Sequence, residues 1–158
     1  MSSTVNLALV PPGFTFRRRL RILLAEDNSQ LRTTMATVLY QDGHSVIEAR
    51  DGAELVRSVA SMIVAHRDHE LDLIICEQEL PGYPGLSALA AFRAGGHSVP
   101  FVLMTGDEGL QSRAIELGAA ILDRPLHTGA LRAAVRRARA TRTNDVVPEG
   151  WRWRGRGR

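Results

Sequence analysis

Apolar and polar positions follow a regular rhythm between residues 20 and 138. Five short apolar runs stand out: 20–25 (LRILLA), 44–49 (HSVIEA), 71–76 (LDLIIC), 99–104 (VPFVLM) and 120–122 (AIL). Each has strand length and is bounded by turn residues, the pattern of a buried strand. The segments between them carry helical spacing instead. Leu31, Met35, Val38 and Leu39 share one face, as do Leu55, Val59, Met62 and Ile63. Leu86 and Leu89 mark a shorter helix, Leu110, Ala114 and Leu117 a fourth, and Leu131, Ala134, Val135 and Ala138 a fifth. Asp27 or Asn28 can cap the first helix and Asp51 the second, while Gly43 and Gly118 stand at helix ends. Pro81, Gly82, Pro84 and Gly85 punctuate a loop. No segment repeats.

Strands alternating with helices predict an α/β fold, a doubly wound five-stranded parallel sheet with helices on both faces. Right-handed crossovers restrict the topology. In such sheets the site lies beyond the carboxyl ends of the strands, near the switch in strand order. The residues there are Glu26 and Asp27 after the first strand, Glu77 after the third, Thr105 and Gly106 after the fourth, and Arg124 after the fifth. Three carboxylates, a hydroxyl and a guanidinium are thus expected in one pocket. Clustered carboxylates repel and need a cation. A hard divalent ion such as magnesium meets that need with oxygen ligands and water. An arginine meets it with a fork that matches a carboxylate.

Composition narrows the classes. At 158 residues and 44% hydrophobic the chain can bury one core, and 23% charge excludes a disordered polyelectrolyte. One cysteine excludes an intramolecular disulfide framework and a four-cysteine zinc site. No apolar run approaches the roughly 20 residues of a membrane span. The N-terminus lacks the pattern of a signal peptide, so a cytoplasmic protein is expected. His66 and His69, beside Asp68 and Glu70, read as a solvated loop, and Cys76 as a core residue.

The net charge of +3 conceals an uneven distribution. All 20 basic residues are arginine. Residues 1–19 carry +3, residues 20–127 carry −7 and residues 128–158 carry +7. The last stretch alternates Trp151, Arg152, Trp153, Arg154, Arg156 and Arg158 with glycine. Such a tail can bind phosphates and stack on bases, so nucleic acid is a candidate partner. The same chemistry suits an acidic protein, membrane headgroups or the acidic body of this chain, and a plain solubilising tail needs no partner. No DNA-reading module is recognisable. The sequence carries no sign of oligomeric state.

Four fragments, in order, carry a family resemblance: RILLAEDN, DLIICEQELPGYPG, VLMTG and AIELGAAILDRP. Together they resemble the receiver domain of bacterial two-component response regulators, over about residues 20–140. The resemblance divides the chain into a flexible basic leader (1–19), a receiver-like domain (20–142) and a basic Arg/Trp tail (143–158). It implies a flavodoxin-like sheet in the strand order 2-1-3-4-5, and a stand-alone signalling module rather than an enzyme. It implies a histidine kinase or an output protein as partner. Site roles follow residue by residue. Glu26 and Asp27 match the acidic pair that binds magnesium, with Glu77 beside them. Glu77 stands at the phosphoryl acceptor position. Thr105 and Arg124 match the residues that contact phosphoryl oxygens, and Ile121 stands at the aromatic switch position.

The departures from the family pattern lie in that same pocket. The acceptor is Glu77 where the family has Asp, which moves the carboxylate roughly 1.5 Å outward. A misplacement of about 1 Å can cost on the order of 10²-fold in rate. Arg124 replaces the family's lysine, either to pair with Glu77 or through drift in a chain without lysine. Ile121 is stiff and lacks a polar tip. The span from Thr105 to Gly118 is short for the family, which reshapes the usual partner face.

Several alternatives stand open. Glu26 and Asp27 bind magnesium weakly, or Asp27 serves as a helix cap. Thr105 contacts an anion or the backbone. Glu77 mimics a phosphorylated state or marks a dead site. The expectation is an atypical receiver, a pseudo-receiver, working through protein–protein contact in phosphorelay-type signalling with phosphorylation lost or impaired. The alternatives are a receiver phosphorylated on Glu77 with magnesium, and a nucleic-acid-binding protein acting through its tail.

Overall fold

The computed structural model describes residues 19–66 and 70–143. The leader before Arg19, the tail beyond Thr143 with its Trp151–Arg158 alternation, and Asp68 and His69 lie outside the described residues. The chain runs β1 (Arg21–Ala25), α1 (Ser29–Gln41), β2 (Ser45–Ala49), α2 (Gly52–Val64), β3 (Leu73–Glu77), α3 (Gly85–Ala94), β4 (Phe101–Met104), α4 (Glu108–Glu116), β5 (Ala120–Leu122) and α5 (Thr128–Thr143). All strand pairs are parallel, in the order β2-β1-β3-β4-β5. This is the doubly wound, flavodoxin-like sheet that the sequence predicts.

Side-chain alternation along each strand divides the core in two. Leu23, Ala25, Ile74, Cys76 and Leu103 face α2, α3 and α4, where Leu55, Leu89 and Ala114 meet them. Ile22, Leu24, Ile75 and Met104 face α1 and α5, where Met35, Leu39, Leu131 and Val135 meet them. Strands buried on both faces read as continuous apolar runs, and for that reason they were visible in sequence.

The first four strands start one or two residues later than their apolar runs. β4 starts at Phe101, two residues late, because Pro100 has no N–H for the ladder; its carbonyl still accepts from Ile74 N–H at 2.9 Å. β3 starts at Leu73 and runs through Glu77, which pairs with Met104. The Glu77 carboxylate therefore rises from the sheet itself and not from the following loop.

The helix starts are fixed by side-chain caps. Asn28 accepts from Leu31 N–H at 2.9 Å, so Asn28 and not Asp27 caps α1. Asp51 and Asp107 cap α2 and α4 through Glu54 N–H (2.8 Å) and Leu110 N–H (3.0 Å). Pro84 offers α3 no side-chain cap, and Gln78 supplies one, accepting from Leu86 N–H at 2.8 Å.

The loop after Glu77 is held tightly. A Cβ on Gly85 would lie 2.6 Å from the Glu77 carbonyl oxygen and 2.8 Å from Leu103 Cδ1, so only glycine lets α3 start against β3. Gly52 N–H donates to Pro81 O at 3.0 Å, tying the same loop to the start of α2. Among the described residues no helix is long and apolar enough to cross a membrane.

Candidate functional site

β1, β3, β4 and β5 end along one edge of the sheet, and the residues expected there do converge. Glu26 follows β1. Its backbone N–H donates to Ala49 O at 3.0 Å, which extends the ladder by one residue and turns the side chain inward, 2% exposed. Oε1 accepts from Asn28 N–H at 3.0 Å. Burial pushes the Glu26 carboxyl above the usual range, and the neighbouring Asp27 pushes the same way; Asn28 N–H and Arg124 pull it down. Asp27 itself is exposed.

Glu77 is buried at the end of β3. Its Oε1 accepts from Glu79 N–H at 3.1 Å, and its Oε2 pairs with Arg124 Nη2. The same Nη2 lies 3.7 Å from Glu26 Oε2. The two Oε2 atoms are buried and have no hydrogen-bond partner, so ion pairing with Arg124 is what offsets their loss of water. The Arg124 side chain is 38% exposed, against 2% for Glu26 and 6% for Glu77. The guanidinium thus reaches from the solvent edge across two buried carboxylates.

Thr105 is buried, but its hydroxyl is engaged by the backbone. Oγ1 accepts from Asp107 N–H at 3.2 Å, and the Thr105 carbonyl accepts from Gln111 Nε2 at 2.8 Å. Asp123 Oδ1 accepts from Arg124 N–H at 2.8 Å and from Gln111 Nε2 at 3.3 Å. Gln111 therefore ties the β4 end to the residue preceding Arg124. Ile121 is partly buried against the core on the α2–α3–α4 side, with Leu103 beside it in the ladder. Cys76 is buried and its thiol is pushed up by burial, which suits a core residue and not a nucleophile.

Three contributors were not singled out from sequence. Arg32 Nη1 donates to Glu26 O at 2.7 Å and Nε lies 3.4 Å from Glu48, so α1 is fastened to the ends of β1 and β2. Gln78 and Gln111 act as described above. Arg32 lies one helical turn after the Asn28 cap, a spacing that points it back at the strand end. The two glutamines have no such signal.

The carboxylates do not fit a divalent ion as they stand. Among the described residues no three His, Cys, Asp or Glu side chains are arranged as metal ligands. Glu26 and Glu77 turn their free oxygens to Arg124, and Asp27 is exposed. A guanidinium offers no lone pair to a metal and repels it.

The sequence pattern of the response regulator receiver domain matches residues 22–136, and the chain belongs to that family. Over 117 residues it is 31% identical to the CAI-1 autoinducer sensor kinase/phosphatase CqsS of Vibrio cholerae, covering 72% of this chain and 16% of that protein. Over 111 residues it is 30% identical to the virulence transcriptional regulatory protein PhoP of Salmonella typhimurium, covering 68% and 46%. The chain thus spans less than half the length of these curated relatives. Among solved structures it is similar to the signal receiver domain of an HD domain-containing protein from Pseudomonas fluorescens Pf-5, with 26% identity and a TM-score of 0.67 over 84% of this chain and 95% of that one. A receiver domain protein from Clostridium thermocellum shares the fold at a TM-score of 0.68 and 21% identity, over 78% and 96%. Receiver domains are parts of two-component signalling, where they interact with histidine kinases and output domains.

Proposed function

We propose that this domain is a pseudo-receiver: phosphorylation on Glu77 is lost or strongly impaired, and it signals by protein–protein contact in a conformation held by the Glu77–Arg124 pair. One observation carries the reading. Both oxygens of the acceptor-position carboxylate are engaged, Oε1 by Glu79 N–H and Oε2 by Arg124.

A phosphoryl acceptor must present a free lone pair in line with the incoming phosphorus. A carboxylate oxygen paired with a guanidinium is a weaker nucleophile, and the guanidinium fills the approach. The extra methylene of Glu displaces the oxygen from the family's acceptor position, a second obstacle to transfer. Thr105, whose hydroxyl already accepts from Asp107 N–H, keeps the β4–α4 turn in place with no phosphoryl group to answer.

The partner is a histidine kinase or an output protein, met in the cytoplasm. The relatives named as a sensor kinase/phosphatase and a transcriptional regulatory protein stand for these two kinds.

Intact-mass measurement after incubation with acetyl phosphate and magnesium tests the reading. Wild type is expected to show no phosphoryl adduct, and Glu77→Asp to show one that maps to residue 77. A wild-type adduct mapped to Glu77 would overturn the reading and restore an ordinary phosphorylation switch.

A further inference from the structure

Glu26 and Glu77 come from different strands, and each is nearly sealed from water. Two such carboxylates cannot both stay ionised at close range without a cation between them. The described residues supply one. Arg124 Nη2 pairs with Glu77 Oε2 and lies 3.7 Å from Glu26 Oε2. The second distance is too long for a hydrogen bond and suits an ion pair. A single nitrogen therefore serves two carboxylates, in the bridging manner of a metal ion and not as a fork on one acid.

Two features favour this cation over a dissolved one. Arg124 is tethered two residues past the end of β5, with its backbone N–H fixed by Asp123 at 2.8 Å, so its effective concentration at the pocket is high. A hard divalent ion would need several oxygen ligands, and the two best placed are turned to the guanidinium.

We infer that Arg124 is the built-in cation of this pocket, replacing a divalent metal, and that the guanidinium and a metal ion exclude one another there. The inference rests on the reading of the pocket as closed by the Glu77–Arg124 pair and names the pocket's resident cation. The domain folds and holds its signalling surface without metal, and removing the guanidinium opens a cation site between Glu26 and Glu77.

Thermal melts of wild type, Arg124→Ala and Arg124→Ala/Glu26→Gln, each in EDTA and in millimolar magnesium, test this. Wild type is expected to melt at the same temperature in both. Arg124→Ala is expected to melt lower in EDTA and to recover in magnesium, with apparent magnesium affinity at least about tenfold above wild type. Adding Glu26→Gln should abolish that recovery. The inference is overturned if wild type gains as much from magnesium as Arg124→Ala, if Arg124→Ala does not respond to magnesium, or if it is as stable as wild type in EDTA. Should the variant fail to fold, a manganese titration of wild type followed by water proton relaxation decides alone: no binding below millimolar supports the inference, and micromolar binding overturns it. The outcome is separable from the phosphorylation reading. A Glu77 phosphoryl adduct formed with magnesium would overturn both readings, whereas failed magnesium rescue would overturn this one alone and leave the silence towards acetyl phosphate intact.

Discussion

Arg124 lies two residues past the end of β5 and Glu77 ends β3, with β4 between them, yet their side chains meet across that strand at the sheet edge. The contact joins the last residue of β3 to the turn that follows β5. The pair is asymmetric, because a buried carboxylate depends on a guanidinium that solvent can reach. Glu77 has more to lose from separation than Arg124.

The buried acid that follows β1 sets a pH dependence. Burial raises the Glu26 carboxyl above its usual range, more than Asn28 N–H and Arg124 lower it. The folded state then holds its proton at a higher pH than the unfolded state. Stability is therefore greatest below the unfolded carboxylate range and falls as pH rises through the folded value. Glu26→Gln keeps an acceptor for Asn28 N–H and removes the charge. It is expected to raise the melting temperature at pH 7 and to lose that advantage near pH 4, with about 1.4 kcal/mol at stake per unit of elevation. Denaturant melts of both proteins across pH 4 to 8 check this; a Glu26→Gln protein less stable than wild type at pH 7 would contradict it.

Glu54 behaves in the opposite sense. Arg50 Nη2 and Nε donate to its Oε1 at 2.6 and 3.0 Å, and Arg50 N–H donates to Oε2 at 2.8 Å. Hydrogen bonding from the Arg50 side chain, then from its backbone, lowers the Glu54 carboxyl to about 2. Its contribution to stability is present above the unfolded carboxylate range and lost as pH falls towards about 2. A side-chain carboxyl NMR titration is expected to place Glu54 well below the ordinary glutamate range. High salt should raise it towards the ordinary value, since the pair is open to solvent. A midpoint near 4 at low salt would refute the assignment.

Arg93 is a structural rivet at the opposite side of the core. From the last turn of α3 its Nε donates to Leu117 O at 2.8 Å, and Nη1 donates to His97 O at 2.8 Å and Val99 O at 3.0 Å. Its Nη2 is buried without a hydrogen bond, and burial lowers its pKa. Arg93→Met strands three carbonyls near the ends of α3 and α4. A loss on the order of 1–3 kcal/mol is expected. Arg93→Lys should rescue little, because one ammonium cannot span three carbonyls in the plane of a guanidinium. Hydrogen exchange at 114–119 should quicken in both variants, and unchanged protection there would count against the rivet.

How much of this was legible in the sequence depends on the range of the interaction. The strands and helices were visible because each is coded by local periodicity, and Leu131, Ala134, Val135 and Ala138 are all buried as their spacing requires. A boundary shifted where one residue's hydrogen bonding decided it, as at Pro100, and hydrogen bonding also chose Asn28 over Asp27 as the cap of α1. The convergence of Glu26, Glu77, Thr105 and Arg124 followed from topology alone, since parallel strands deliver their carboxyl ends to one edge. The second arm of the Arg124 contact, to Glu26, did not follow, because it depends on side-chain reach across the edge. The Gln111 link between Thr105 O and Asp123 was likewise invisible, since nothing in the pattern distinguishes that glutamine from a solvated one.

The central claim is that Glu77 and Arg124 hold the pocket in one state that a phosphoryl group does not change. Backbone amide spectra of wild type, recorded before and after adding magnesium with beryllofluoride as a stable phosphoryl analogue, address it most directly. The account predicts that the resonances of Glu77, Thr105, Arg124 and the whole of α4 stay where they were. A saturable second set of peaks at those residues would show a pocket that still accepts the group and a domain that still switches, and would contradict it.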